Sequence, residues 1–502
     1  MRKYSLEDAQ VAVDKAAALA RQDPLRPIYH AMCPGNWMND PNGPILDPAS
    51  GEVQVFYQHN PLAPTGGNMC WGHMKTKDLV HWTHLPIAFG PSFDKGEDGC
   101  WSGSCIIGPG GLPHAIYTSV GPKKRPVDGS EQWIAVGSKD FSRWEKSPSN
   151  PVMTHALHGK TRIEDWRDPY AWRAGNTYYC VVGGHLVQDG KPKHNPAVFL
   201  YKSPDMVHWT FLGPACWRFT GAADAPAGPG VNLGTNWECP LFFPLGDKHV
   251  LEVSVNGTAY TIGTFKGEKF VAPGEWHPLD YSGTFYAPHT VADAKGRRIV
   301  IGWVVTTQHP AWSGCFSLPR VVSDRGDGTL GIVPLPELDM LHGKHVHVDS
   351  VSITPGAARP LISAKPLAAI SGDRAMECRF SIPFVESADG ELVVPPFELQ
   401  LYEPIEGVQS FAGTLGYEPA EALLFIGNRS GAFHAEPGED SIEARLFIDR
   451  GIVELYINGR WTLTSEIPVL PATRIALVAR SVEGAAVTFT EIDCWSMASI
   501  WS

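Results

Sequence analysis

Short runs in which apolar and polar residues alternate recur along much of this chain, and a period of two is the mark of half-buried strands. The pattern is clearest late in the sequence, in Phe380-Ser381-Ile382, in Phe397-Glu398-Leu399-Gln400-Leu401 and between Leu446 and Gly459. The last stretch holds two alternating runs around a short turn and ends in Asn458-Gly459, a strong hairpin signal. Near the start the period differs. Ser5-x-x-Asp8 reads as a helix N-cap ahead of an alanine-rich stretch to Arg21, with a stop at Asp23-Pro24. Between these regions a segment repeats: Thr76-Lys77-Asp78-Leu79-Val80-His81-Trp82 returns as Ser138-Lys139-Asp140-Phe141-Ser142-Arg143-Trp144 and as Ser203-Pro204-Asp205-Met206-Val207-His208-Trp209. The aspartates stand 62 and 65 residues apart, and one more step reaches a degenerate turn at Phe265–Phe270. A fixed period in β-rich surroundings predicts radial repetition, each unit being a propeller blade whose aspartate bonds local backbone in a tight turn. Residues 28–335 leave room for five units. The chain is therefore predicted to be all-β: residues 1–27 a helical extension, 28–335 a five-bladed β-propeller, 336–344 a linker with one helical turn, and 345–502 a β-sandwich.

Composition supports strands over helices. Among 502 residues there are 51 Gly, 43 Pro and many rings (17 Trp, 14 Tyr, 21 Phe), which suits short strands joined by tight turns. Forty-one basic against 53 acidic side chains leave a formal net charge of −12, which argues against nucleic acid as a partner. No stretch reaches the 18–20 apolar residues, roughly, of a membrane span, and no apolar run follows the basic start. The ten cysteines are scattered without a CxxC pair, so the expectation is a cytoplasmic protein with free thiols and no zinc site.

The candidate chemistry lies in three motifs from three different repeats: Trp37-Met38-Asn39-Asp40-Pro41-Asn42-Gly43, Trp166-Arg167-Asp168-Pro169 and Trp237-Glu238-Cys239-Pro240. Asp-Pro and Asn-Gly are ordinary turn formers taken singly. In a propeller, however, the innermost strands line one central funnel, where acids from separate blades converge. Carboxylates clustered among tryptophans suit acid–base work, and they suit sugars, whose apolar faces stack on rings while their hydroxyls bond to acids.

The three motifs, in this order and spacing, resemble the signatures of family 32 glycoside hydrolases, the invertases, fructan hydrolases and related fructosyltransferases. Phe56-Tyr57-Gln58-His59-Asn60-Pro61, Trp71-Gly72-His73, Trp101-Ser102-Gly103-Ser104, Phe285-Tyr286-Ala287-Pro288 and Ser317-Leu318-Pro319-Arg320 extend the likeness over residues 28–320. The resemblance implies a five-bladed propeller followed by a sandwich. It also implies Asp40 as nucleophile, Glu238 as general acid/base and Asp168 as the residue that holds fructosyl hydroxyls in the transition state. On that reading Asp40 is expected among hydrogen-bond donors that keep it ionised, and Glu238 is expected to have a raised pKa. Asn39, Gln58, Trp71, Trp101, Ser102, Arg167, Tyr286 and Trp303 match the family's substrate contacts. The implied partner is a small sugar, sucrose or a short fructo-oligosaccharide, and the implied chemistry needs no metal and no cofactor. Two positions depart from the family pattern: Gly66, where many members carry a Trp, and His289, where a Gln is common. The run His342-Gly343-Lys344-His345-Val346-His347 is read as alternate histidines on an exposed strand.

Overall fold

The computed structural model describes residues 3–125, 129–187, 195–217, 231, 233–272, 274–403, 413–482 and 485–501. The chain forms two units. One comprises residues 1–22, 32–279 and 285–330; the other comprises 23–31, 280–284 and 331–502. Two short segments inside the span predicted as propeller, 28–31 and 280–284, thus group with the second unit.

In the first unit, helix α1 (Leu6–Ala20) opens with a capping box, the Ser5 hydroxyl accepting from the Asp8 N–H at 3.0 Å while the Asp8 carboxylate accepts back. Its small face of Ala9, Val13, Ala16, Ala17 and Ala20 is buried. Gly35 packs so closely on it that an added Cβ would lie 2.7 Å from the Ala16 carbonyl carbon. Five sheets follow, each opening with an innermost strand: β1 (Asn36–Leu46), β2 (Gly99–Ile107), β3 (Ile163–Ala174), β4 (Glu238–Leu245) and β5 (Phe285–Ala292). Each lies against the next, and β5 against β1, so the five strands make a closed ring. The ring is fastened by a late segment, Trp312–Ser313, which pairs in parallel with Asn36 and Trp37 of β1.

The repeated sequence makes the outer hairpin of the first three blades. Asp78 accepts from the N–H groups of Val80 and His81, Asp140 from Ser142, and Asp205 from Val207 and His208. The following residue takes a left-handed conformation each time, with φ of 63° at Leu79, 59° at Phe141 and 66° at Met206. Glu268 does the same in the degenerate copy, at 62°.

The second unit is a sandwich of two sheets that are six-stranded among the described residues. One joins the strands His342–Ile353, Val487–Met497, Ala375–Pro383, Ser441–Asp449, Ile452–Ile457 and Trp461–Glu466; the other is centred on Phe397–Tyr402 and Ile475–Ser481. Their inner faces share a core that includes Met376, Leu399, Leu446, Val453, Leu477 and Phe489. The helical turn predicted in the linker is a 3₁₀ turn, Pro336–Leu341, but the first strand starts at His342, inside that linker. A further correction concerns the thiols. Cys378 and Cys494, 116 residues apart, face each other on neighbouring antiparallel strands and form a disulfide. Strand register brings them together, and no local spacing could signal it. Among the described residues no helix is long and apolar enough to cross a membrane. The fold is all-β, a propeller followed by a sandwich, with a helix at the N-terminus.

Candidate active site

Every innermost strand is bulged at a residue singled out from sequence. The register slips between Met38 and Pro41 in β1, around Asn39 and Asp40; between Cys100 and Gly103 in β2, around Trp101 and Ser102; and between Arg167 and Tyr170 in β3, around Asp168. It slips again between Glu238 and Leu241 in β4 and between Tyr286 and His289 in β5. Prolines cause much of this, because Pro41, Pro169, Pro240 and Pro288 have no N–H to give to a ladder. A bulge re-aims the side chains beside it. Asp168, Cys239 and Ala287 accordingly have positive φ (64°, 45° and 44°), unusual for residues with a Cβ. Such strain is found where the surrounding structure enforces it, often at functional sites.

The bulges aim into one open pocket of about 360 Å³. Asn39, Asp40, Gln58, Trp101, Ser102, Arg167, Asp168, Glu238, Tyr286 and Trp303 all line it. Trp71 does not. It is fully buried, stacks on Phe89 at 4.9 Å between centroids, and gives its indole N–H to the Trp101 carbonyl at 3.1 Å. Its ring therefore supports the wall that carries Trp101 and is not itself a surface of the pocket. His289 is buried below the pocket, beside a void of about 10 Å³, and burial pushes its pKa down to about 3. At Gly66 an added Cβ would touch nothing closer than 4.0 Å, so a larger side chain has room there.

Asp40 is ringed by donors. The Ser102 hydroxyl gives a very short hydrogen bond to Oδ2, the Asn39 amide donates to Oδ1 at 2.9 Å, and the Cys239 thiol lies 3.5 Å from Oδ2. Asn39 is itself set by the Trp37 indole at 2.7 Å. Burial nevertheless outweighs these bonds and raises the Asp40 pKa, with the charge of Glu238 adding to the rise. Asp168, with 6% of its surface exposed, accepts the Cys239 N–H at 3.0 Å. Burial pushes its pKa up to about 7, the Asp40 charge adds to the rise, and Arg167 opposes it. Glu238 keeps 32% of its side chain exposed. It accepts from the Arg167 guanidinium at 2.6 Å and from the Tyr286 hydroxyl at 2.8 Å. Asp40 and Asp168 are thus the acids whose pKa burial raises. Arg167 also lies 3.7 Å from Asp168, so one cation spans two of the three acids.

Sequence motifs miss two charged members of the lining, Asp98 and Arg125. The nearest signal is the acidic run Glu97-Asp98 directly before Gly99-Cys100-Trp101. Elsewhere, Asp339, His342 and Glu377 present ligand atoms within 4.8 Å of one another, a spacing that could hold a metal ion. Arg379 and Arg445 already bind both of those carboxylates, at distances from 2.5 to 3.0 Å, and fill the role of the cation. His342, stacked on Trp495, and His345 and His347 pair with carboxylates along the strand.

Known proteins resemble this chain along almost its whole length. The raffinose invertase of Escherichia coli is 29% identical over 95% of this chain and 96% of its own length. The sucrose-6-phosphate hydrolase of Escherichia coli is 31% identical over 94% of this chain and 95% of its own. The crystal structure of fructan 1-exohydrolase IIa from Cichorium intybus in complex with 1-kestose superposes with a TM-score of 0.77, at 26% identity, over 95% of this chain and 98% of that one. The model of the glycosyl hydrolases family 32 N-terminal domain matches residues 30–332, and that of the family's C-terminal domain matches residues 358–496. The chain belongs to glycosyl hydrolase family 32.

Proposed function

We propose that this protein is a retaining β-fructofuranosidase that hydrolyses sucrose and short fructo-oligosaccharides through a covalent fructosyl-enzyme. One observation carries the reading: three carboxylates from three separate blades meet in a single ring-walled pocket, with one arginine spanning two of them. In the first step the Asp40 carboxylate attacks the anomeric carbon of the fructosyl unit. Glu238 gives its proton to the bridging oxygen, the glycosidic bond breaks, and glucose departs. In the second step Glu238, now ionised, takes a proton from water as its oxygen attacks the same carbon. The ester to Asp40 breaks, and fructose leaves with its configuration retained. Asp168 accepts hydrogen bonds from fructosyl hydroxyls, and Arg167 and Tyr286 hold the Glu238 carboxyl towards the leaving oxygen.

Fructosyl transfer to a sugar is the second reading, and Gly66 weighs against it. An acceptor must outcompete water at about 55 M by binding and orientation, and Gly66 offers no ring to hold one. The test follows free glucose and free fructose from millimolar sucrose. Equal amounts are expected, and fructose below half the glucose would make the protein a transferase. Asp40→Ala and Glu238→Ala should each lose more than about a hundredfold in kcat, general acid–base help alone contributing that much or more. Either variant keeping a tenth of the activity, while folded by circular dichroism, defeats the assignment.

A further inference from the structure

Asp98 and Arg125 form a charged pair in the pocket that fructosyl chemistry leaves unused. Both line the cavity, beside Gly99 and Trp101. Their backbones are fixed: the Asp98 N–H donates to the Val120 carbonyl at 2.8 Å, and Arg125 follows a tight turn in which Gly121 and Lys124 exchange hydrogen bonds at 3.0 and 3.1 Å. The side chains meet once, Nη2 to Oδ2, at 3.3 Å. Arg125 keeps 46% of its side chain exposed, and Asp98 keeps 14%. The second Asp98 oxygen has no hydrogen-bond partner among the described residues. That oxygen is buried, and a turn about the terminal torsion exchanges it with the one that faces Arg125. The pair therefore holds unspent capacity of both kinds, an acceptor on Asp98 and donors on Arg125.

Such a pair matches a sugar hydroxyl couple, each hydroxyl giving one hydrogen bond and accepting another. It does not match a phosphate. The lining holds four acids, Asp40, Asp98, Asp168 and Glu238, against two guanidiniums. Both guanidiniums already face carboxylates, Arg167 at Glu238 and Arg125 at Asp98. A dianion on the remaining Arg125 donors would sit beside the Asp98 charge. Resting on the fructosidase reading, we propose that Asp98 and Arg125 are the subsite of the departing sugar and select an uncharged one, rejecting a leaving group that bears a phosphate.

The experiment measures kcat/KM for sucrose, for sucrose phosphorylated on the glucosyl 6-hydroxyl, and for methyl β-fructofuranoside, which has no leaving sugar. The native enzyme should prefer sucrose to its phosphate by about a hundredfold, the scale of a like-charge juxtaposition. Asp98→Asn frees Arg125 for the phosphate and should bring that preference within about tenfold, while weakening sucrose itself. Arg125→Ala, at a half-exposed and hence tolerant position, should weaken sucrose by about tenfold, one charged hydrogen bond, and widen the preference. Opposite movement of the same ratio is a signature that mere loss of structure does not produce. A native enzyme that takes the phosphate as well as sucrose overturns the proposal, and so does a ratio that neither variant moves. Methyl β-fructofuranoside separates the two readings: if it is cleaved but the leaving group is not discriminated, only the subsite fails, whereas if it and sucrose are both inert the fructosidase reading fails too.

Discussion

Asp168 is held in a left-handed backbone kink, nearly out of water, between the opposing charges of Arg167 and Asp40. Its pKa of about 7 in the folded chain stands well above the ordinary value of 3.8. The folded state thus holds this proton more tightly than the unfolded chain. The associated stability is fully present below about pH 4 and is lost as pH rises through 7, at no more than about 1.4 kcal/mol per pH unit. Asp168→Asn keeps an acceptor for the Cys239 N–H and has no proton to lose. In urea titrations at pH 4, 5.5, 7 and 8 the native protein should lose stability relative to the variant as pH rises; a constant difference would refute this assignment of the proton. At this scale the acids were readable because Pro41, Pro169 and Pro240 stand beside or one residue beyond them and interrupt the ladder. Asp98 and Arg125 escaped because neither belongs to one of the motifs that carry the family likeness. Trp71 was misread because its motif gives no sign that the ring packs on Phe89 under the wall and away from the pocket.

Among elements, the innermost strands read well from sequence because their interruptions repeat, whereas the tie at His30 is invisible there. In the second unit Asp449 accepts the N–H groups of Ile28, Tyr29 and His30, and the His30 ring bridges Asp449 at 2.9 Å and Glu454 at 3.2 Å. Nothing near His30 in the chain announces partners more than 400 residues away. All three side chains are fully buried. Burial alone would lower the histidine's pKa, but hydrogen bonds and charge from both carboxylates lift it from 6.5 to about 9. Its stabilisation is therefore complete below pH 6.5 and is lost as pH rises through 9. His30→Gln should cost about 3–5 kcal/mol near neutrality by leaving buried carboxylates without their cation. It should also remove this alkaline loss, so the two unfolding curves should converge between pH 7 and 10. Curves that stay parallel would show that His30 carries no charge in the folded state.

The molecule as a whole follows the repeat: five blades, and then strands whose alternation the sequence displays openly. What the repeat leaves unspecified is how the ring shuts. Trp312 and Ser313 supply the edge of the sheet that holds Asp40, pairing with Asn36 and Trp37. A chain carrying Trp312→Pro and Ser313→Pro keeps all five innermost strands and all three acids, yet cannot pair along that edge. It should show less than about a hundredth of the native chain's activity on sucrose, since small misplacements of catalytic groups cost rates of this order. Activity within tenfold of the native chain would mean that the parallel pair is dispensable.

That pairing also sets a schedule for the living cell. Ribosomes deliver about 5–20 residues per second, and about 270 residues separate Asp40 from the segment that clamps its strand, so the first acid to emerge waits roughly 14–55 s for its frame. For that interval the nascent chain carries its motifs with an open sheet edge of the kind that invites stray pairing. Competence arrives late in translation and in one step, when the last blade reaches back to the first.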